Sequence, residues 1–339
     1  MMRQVWAASA LFLAVMGFVT ESARADIYAA NTRLGRGINL GNALEAPTEG
    51  AWGVVLKARY FRAIKQAGFD TVRLPVKWSA HAKAAAPYTI DPKFAARVDW
   101  AIDQALANHL NIIVNMHHYE GMDDDPDRNA DRFVGLWQQI ATRYKDRPAS
   151  VYLELLNEPH NKLTEVKWNA IFPRALRVVR QTNPTRPVII GPGQWNGIWA
   201  LGKLQLPPDD HNLIVTVHSY DPFQFTHQGA SFVPGAARWR GRHWTGSARE
   251  KGEIRRNFEK AAAWGKEHNR PIFLGEFGSI ANADMPSRAR WTAFVVREAE
   301  RLGFSWAYWE FCSGFGAYDP RTDQWREPLK AALVGQPRG

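Results

Sequence analysis

Of 339 residues only one, Cys312, is a cysteine. A single thiol excludes an intrachain disulfide and any thiolate metal cluster. The HExxH spacing of a zinc protease is missing, and so is the Asp-x-Asp-x-Asp-Gly pattern of a calcium loop. The stretch EGMDDDPDRN, Glu120 to Asn129, lacks that pattern and reads as an acidic surface loop. The glycines of GRGINLGN have no following helix with the acidic residue that a dinucleotide site needs. Runs of one charge are missing too. The excess of 43 Lys and Arg over 33 Asp and Glu, +10 in all, is spread along the chain, which describes a solvated basic surface and no nucleic-acid partner.

Past residue 25 no apolar run is long enough to cross a bilayer. Before it, the basic start at Met1 to Arg3, the apolar run from Val5 to Val19 and the small-residue site Ala23-Arg24-Ala25 describe a secretory signal peptide. Residues 1–25 are therefore expected to be removed, leaving 26–339 as one exported domain, extracellular or periplasmic, with no membrane attachment. Loss of Arg3, Arg24 and Glu21 lowers the formal charge from +10 to +9.

Apolar segments at strand density recur eight times, over 36–40, 71–76, 111–116, 151–156, 187–190, 213–217, 271–275 and 305–308. Between the first two, Leu56, Tyr60, Ile64 and Ala67 repeat at helical spacing and stop at Gly68; Phe94, Val98, Ile102 and Leu106 do the same before the third. Further helices are expected over 133–144, 168–180, 254–266 and 288–301, with only a short one near 198–204. Strands alternating with helices imply a parallel sheet with right-handed crossovers. Eight repeats over this length imply an α/β fold, a single-domain (β/α)8 TIM barrel.

Catalytic groups of such barrels gather at the C-terminal ends of the strands. There this chain places Asn39 and Asn42, then Arg73, His117-His118-Tyr119, Asn157-Glu158, Gln194-Trp195, His218-Ser219-Tyr220, Glu276 and Trp309-Glu310. The fourth strand reads LELLNEP: an apolar run ending on Asn157 and Glu158 and closed by Pro159, which cannot donate a ladder hydrogen bond. Two glutamates on opposed strands, Glu158 and Glu276, can split an acetal, one protonating the leaving oxygen and the other attacking carbon or activating water. Donors such as Arg73 and Tyr220 would keep Glu276 charged. Adjacent His117 and His118 point to opposite sides of a strand and do not form a metal site. Neither metal nor cofactor is expected.

In order along the chain, NEP, HSY, GEFG around Glu276 and YWEF around Trp309 resemble glycoside hydrolase family 5, over about Arg33 to Leu333. GRGINLGNALEAP, VNMHHYE, PFQFTHQGA and SWAYWEFCSGFG look closest to the subfamily 25 endoglucanases of thermophilic bacteria. The resemblance implies a retaining endo-β-1,4-glucanase acting as a monomer on β-1,4-linked polysaccharide or oligosaccharide, with mannan as an alternative backbone. It implies Glu158 as acid/base, Glu276 as nucleophile, Asn157 on the sugar 2-hydroxyl, and Arg73 and Tyr220 fixing Glu276. His218 would stand near Glu158, His117 would contact the cleaved sugar, and Trp309 would form its platform. Asn42, Glu45, His118, Trp195, His227, Glu310 and Phe315 would line the substrate groove. Where relatives carry Ala-Glu-Trp this chain has Pro192-Gly193-Gln194-Trp195, a difference that bears on substrate preference. A noncatalytic carbohydrate-binding barrel is the competing class, but such a barrel would normally have lost one carboxylate. N-terminal sequencing of exported protein should begin at Asp26; an intact Met1 would refute the leader assignment.

Overall fold

The computed structural model describes residues 27–335, so the leader lies outside the described residues. Eight parallel strands close into a barrel in sequence order: β1 (Arg36–Asn39), β2 (Thr71–Leu74), β3 (Asn111–Asn115), β4 (Val151–Glu154), β5 (Val188–Ile190), β6 (Leu213–His218), β7 (Ile272–Phe277) and β8 (Ser305–Tyr308). Pairing of Arg36, Gly37 and Ile38 with Trp306, Ala307 and Tyr308 completes the circle. All eight strands fall where the apolar segments put them.

Side chains alternate along a strand, so each one sends every second residue into the barrel. The lower interior layer is apolar. Ile113, Tyr152, Ile189, Ile214, Phe273 and Ala307 pack there with Ile27, Ala30 and Leu34. Those last three belong to a helix over 27–34, and Tyr152 ties it down by donating its hydroxyl to the Ala30 carbonyl at 2.9 Å. Two residues further up, the same alternation delivers Asn39, Arg73, Asn115 and Glu154, all fully buried. The barrel is thus plugged below by hydrocarbon and above by an ionic layer.

The outer helices begin earlier than the periodicity indicated: Pro126–Tyr144, Glu165–Thr182, Ala248–Glu267 and Met285–Arg301. Their first turns carry few apolar side chains in step with the buried stripe, so they leave no clear apolar period. They carry caps instead. Asp125 accepts from Arg128 N and Asp284 from Ser287 N, while Ser247 and Glu250 form a reciprocal capping box. Hence the acidic stretch 120–129 is not a loop: it comprises the short helix Glu120–Asp124, the cap Asp125 and the start of the next helix. Between β5 and β6 a full helix is replaced by Gly193–Asn196 and the 3-10 turn Ile198–Lys203, as the weak pattern there implied.

Four tryptophans hang the strand tops from this outer layer. Their indole N–H groups donate to main-chain carbonyls: Trp78 to Asn115 at 3.1 Å, and Trp137 to Leu155, Trp168 to Gly191 and Trp291 to Asp221, each at 2.9 Å. The acceptors end β3, directly follow β4 and β5, and lie three residues past β6, where the polar residues emerge. At the opposite end Arg186 performs a comparable task. Its guanidinium donates to the carbonyls of Tyr144, Lys145, Arg147, Pro148 and Val151 and to the Asn183 side chain. It closes the end of one helix and the entry to β4. Arg186→Met would strand these buried acceptors, and a loss of about 3 kcal/mol or more is expected in urea unfolding. A change below about 1 kcal/mol would mean that water satisfies them instead.

Candidate active site

Arg73 stands at the centre of the ionic layer with no exposed surface. All five of its N–H donors are engaged. Nε and Nη2 grip Glu154 bidentately at 2.7 and 2.6 Å; Nη1 donates to Asn39 Oδ1 at 2.8 Å and Glu276 Oε1 at 2.7 Å; Nη2 also donates to Asn157 Oδ1 at 2.7 Å. Burial opposes its charge, but the fields of Glu154 and Glu276 outweigh that and hold it above its ordinary pKa. Asn39 in turn donates to the carbonyls of Gly275, Ala307 and Tyr308. One cation so ties together β1, β2, β4, β7 and β8.

Glu276 reaches this layer through a register break. Pairing shifts between Val217 and His218 on β6, and between Leu274 and Phe277 along β7. Phe273 and Gly275 already face inward, so strict alternation would turn Glu276 out. A bulge re-aims it. Gly275 leaves the room: a Cβ there would lie 2.4 Å from Thr216 Oγ1 and 3.1 Å from His218 Nε2. The second Glu276 oxygen accepts from the Tyr220 hydroxyl at 2.8 Å.

Glu158 arrives by another route. Its φ is +49°, a left-handed conformation that a residue before proline rarely adopts. The fold holds it there. His160 Nδ1 lies 2.6 Å from the Glu158 carbonyl, and Asp123 receives His160 N at 3.3 Å and, through its carbonyl, Lys162 N at 2.9 Å. The acidic stretch therefore braces the loop behind Glu158. Asn42, His118, Gln194, Trp195 and Asn196 are left-handed as well, all on loops at this end of the barrel. His218 Nδ1 meets Glu158 Oε1 at 2.7 Å, and Asn196 Nδ2 lies 3.4 Å from His218 Nε2.

Oxygens of Glu158 and Glu276 and a ring nitrogen of His218 all come within 4.8 Å of one another. Those three donors invite a cation by number, but both oxygens of Glu276 already accept protons and the Arg73 charge sits against one of them. The set suits a shared proton better. Burial lifts Glu158 to about 7, against the pull of Arg73 and His160, although 24% of its side chain opens to the cleft. Burial also raises Glu276, helped by Glu158, and is opposed by His218, Arg73 and the Tyr220 hydrogen bond. With a guanidinium and a phenol on Glu276 and only a neutral imidazole on Glu158, the proton retained by the pair resides on Glu158. His218 itself is pushed down to about 4 by burial.

The floor of the cleft is aromatic. Trp309 and His117 lie parallel within 7°, ring centres 5.7 Å apart, and Asn115 Nδ2 fixes His117 Nδ1 at 3.0 Å. Tyr220 is wedged by His227 and Phe315, whose rings lie 4.8 and 6.2 Å away. His118 is exposed and meets Trp52 edge-on; Trp195 is half-exposed and stacks on His160. Glu45 and Glu310 differ from the sequence expectation. Rather than lining the groove, both are buried with their carboxyl groups turned into their own loops. Glu45 accepts from Asn42 N and Ala43 N, and Glu310 from the amides of Cys312, Ser313 and Phe315. Asn42 bridges these two loops through Ser313 Oγ at 2.5 Å. Gln194 Nε2 lies 3.4 Å from Glu165 Oε2, which puts an acid beside this loop. Glu154, Asp123 and Asn196 were missed, although an acid inside LELLNEP was itself a sign of a buried partner.

Residues 35–314 match the family described as Cellulase (glycosyl hydrolase family 5). Endoglucanase H of Acetivibrio thermocellus is 38% identical over 278 residues, covering 82% of this chain; the chain spans only 29% of that relative's length. The structure of Thermotoga maritima Cel5A in complex with cellobiose superposes with a TM-score of 0.89 at 50% identity, covering 91% of this chain and 99% of that one. Its complex with mannotriose does so equally, at 49% identity and the same coverage.

The shifted groups set the response of stability to pH. Burial holds Glu45 at about 8 and Glu158 and Glu310 at about 7, against an ordinary 4.5. The folded chain then keeps protons that the unfolded chain has released, so stability falls as pH rises through that range. Burial depresses His117, His218 and His227, the last two to about 4 from 6.5, so their effect is a rise in stability with pH that is complete near 6.5. Of these groups only the carboxyls act above that point. Urea midpoints should therefore change little between about pH 4.5 and 6.5, where the two effects oppose, and decline from about pH 6.5 to 8; a flat profile over pH 6.5–8 would contradict the raised carboxyl values.

Proposed function

The chain belongs to glycosyl hydrolase family 5, the cellulase family, and from that premise we propose that it is a secreted, monomeric endo-β-1,4-glucanase that retains anomeric configuration. The observation that carries this reading is the pairing of Glu158 and Glu276. Their oxygens come within 4.8 Å, near the roughly 5–5.5 Å of retaining enzymes and short of the ~6.5–9.5 Å that leaves room for a water. Their hydrogen bonding is also unequal, as two opposite roles require.

In the first step Glu276 attacks the anomeric carbon while Glu158 gives its proton to the glycosidic oxygen. The carbon–oxygen bond to the leaving chain breaks and a glycosyl ester forms on Glu276. In the second, Glu158, now a carboxylate, takes a proton from water as that water attacks the same carbon and frees Glu276. Arg73 and Tyr220 stabilise Glu276 whenever it is a carboxylate. Asn157 gives its carbonyl oxygen to Arg73, which leaves its amide N–H groups free to hold the sugar 2-hydroxyl. His218, neutral at working pH, donates to or accepts from Glu158 as the proton comes and goes. Trp309 and His117 supply a face for the sugar ring in the cleaved subsite.

The backbone sugar is the second question. A relative 49% identical is described in complex with mannotriose, and another structure of it with cellobiose, which supports β-1,4-mannan as an additional substrate. Export rests on the leader sequence, and residues 26–339 constitute the catalytic unit on this reading.

Reducing-sugar release from soluble β-1,4-glucan and β-1,4-mannan is the direct test. Glu276→Gln should lower turnover by about 10³-fold or more while the circular dichroism stays native; near-wild-type rates would remove the nucleophile assignment. Proton NMR at early times should show the β-anomer first, and an initial α-anomer would exclude retention. The pH profile of kcat/KM should rise as Glu276 ionises and fall as Glu158 loses its proton at about 7. In Glu158→Ala the alkaline limb should vanish, with aryl glycosides of acidic phenols losing least.

A further inference from the structure

Large hydrophobic side chains exposed on this protein, among the described residues, are all carried by segments leaving the C-terminal ends of β1, β4, β5 and β6. The most exposed aromatic among them is Trp199, at 71%. It belongs to no motif of the site described above. We propose that its indole is a sugar-stacking platform on the leaving-group side of the cleavage point, and that it sets how strongly the enzyme gains from a long departing chain. This inference rests on the glycanase reading.

The placement follows from backbone pairing. Gly197, at the mouth of the turn that bears Trp199, forms an isolated parallel bridge with His218. Residues paired across neighbouring strands project to the same side of a sheet. His218 projects into the cleft, where it meets Glu158 at 2.7 Å. The space above Gly197 therefore faces that same cleft, and the Trp199 ring fills it. A Cβ built on Gly197 would stand 2.5 Å from both Cε2 and Cζ2 of the indole. The φ of Gly197 is −66°, which any residue adopts, so this glycine is required for room and not for backbone freedom. The indole thus lies over Gly197 while much of the ring stays in solvent.

Glu158 hands its proton to the oxygen of the departing sugar, so groups flanking Glu158 on the side away from Trp309 face the leaving chain. Trp195, 46% exposed and stacked on His160 with ring centres 5.0 Å apart, is the nearer of these. Its amide donates to the carbonyl of Pro159, directly after Glu158, at 3.2 Å. Trp199, four residues on in the turn whose Gly197 pairs with His218, extends the aromatic surface outward. The C–H faces of β-linked pyranoses pack on such rings without hydrogen-bond readout, so the contact rewards chain length and does not separate glucan from mannan.

The test compares substrates that do and do not reach this surface. Cellohexaose extends over it; an aryl β-cellobioside has only a phenol as leaving group. In Trp199→Ala the ratio of kcat/KM for cellohexaose to that for the aryl cellobioside should fall about three- to tenfold, and Trp199→Phe should recover part of it. An unchanged ratio in an active enzyme overturns this inference and leaves the glycanase reading intact. A wild-type protein that hydrolyses neither substrate overturns the glycanase reading, and this inference with it.

Discussion

Everything at the top of this barrel depends on the burial of one guanidinium. Arg73 has no water to turn to, and a buried unpaired charge costs several kcal/mol. Two carboxylates and two amides answer its five donors. Of the two acids, Glu154 neutralises the cation without reaching the cleft. Glu276 does both: it completes the ion network and holds its second oxygen, through Tyr220, at the cleft. Fold and chemistry thus share an interaction. Glu276 is oriented because the core would be unstable otherwise, so its position does not wait on a ligand.

Glu158 is governed by the opposite logic. No cation pairs with it directly, it is crowded by protein, and it opens to the cleft through a loop in a left-handed turn. Those conditions favour a retained proton. The asymmetry between Glu158 and Glu276 is therefore a matter of which of the two carboxyl groups reaches the guanidinium. Neither residue type nor position in the chain distinguishes them.

Around this pair the structure supplies rigidity from outside. Tryptophans in the outer layer grip the tops of β3 to β6 through main-chain carbonyls, and Glu45 and Glu310 organise two neighbouring loops from within. Aromatics at this end of the barrel, such as Trp309 and Trp195, then stand on supported loops. The left-handed residues concentrated on those loops cost conformational energy, which the packed strand tops make tolerable.

The sequence by itself determined the architecture and the chemistry of the strand tops. Eight apolar segments alternating with helical periodicity admit little but a parallel barrel, and strand-end acids such as Glu158 and Glu276 are visible because polarity breaks an apolar run. Helix starts were less legible, since caps such as Asp125 and Ser247 carry no hydrophobic period. Only the tertiary structure decided where each carboxylate points. Strict alternation would have turned Glu276 outward, and a bulge on β7 reversed it. Glu45 and Glu310 look like groove acids in the chain yet fold back onto backbone amides, and Glu154 looks like an interruption yet balances Arg73. Those outcomes depend on which groups lie within about 3 Å of one another, a distance set by strands far apart in sequence.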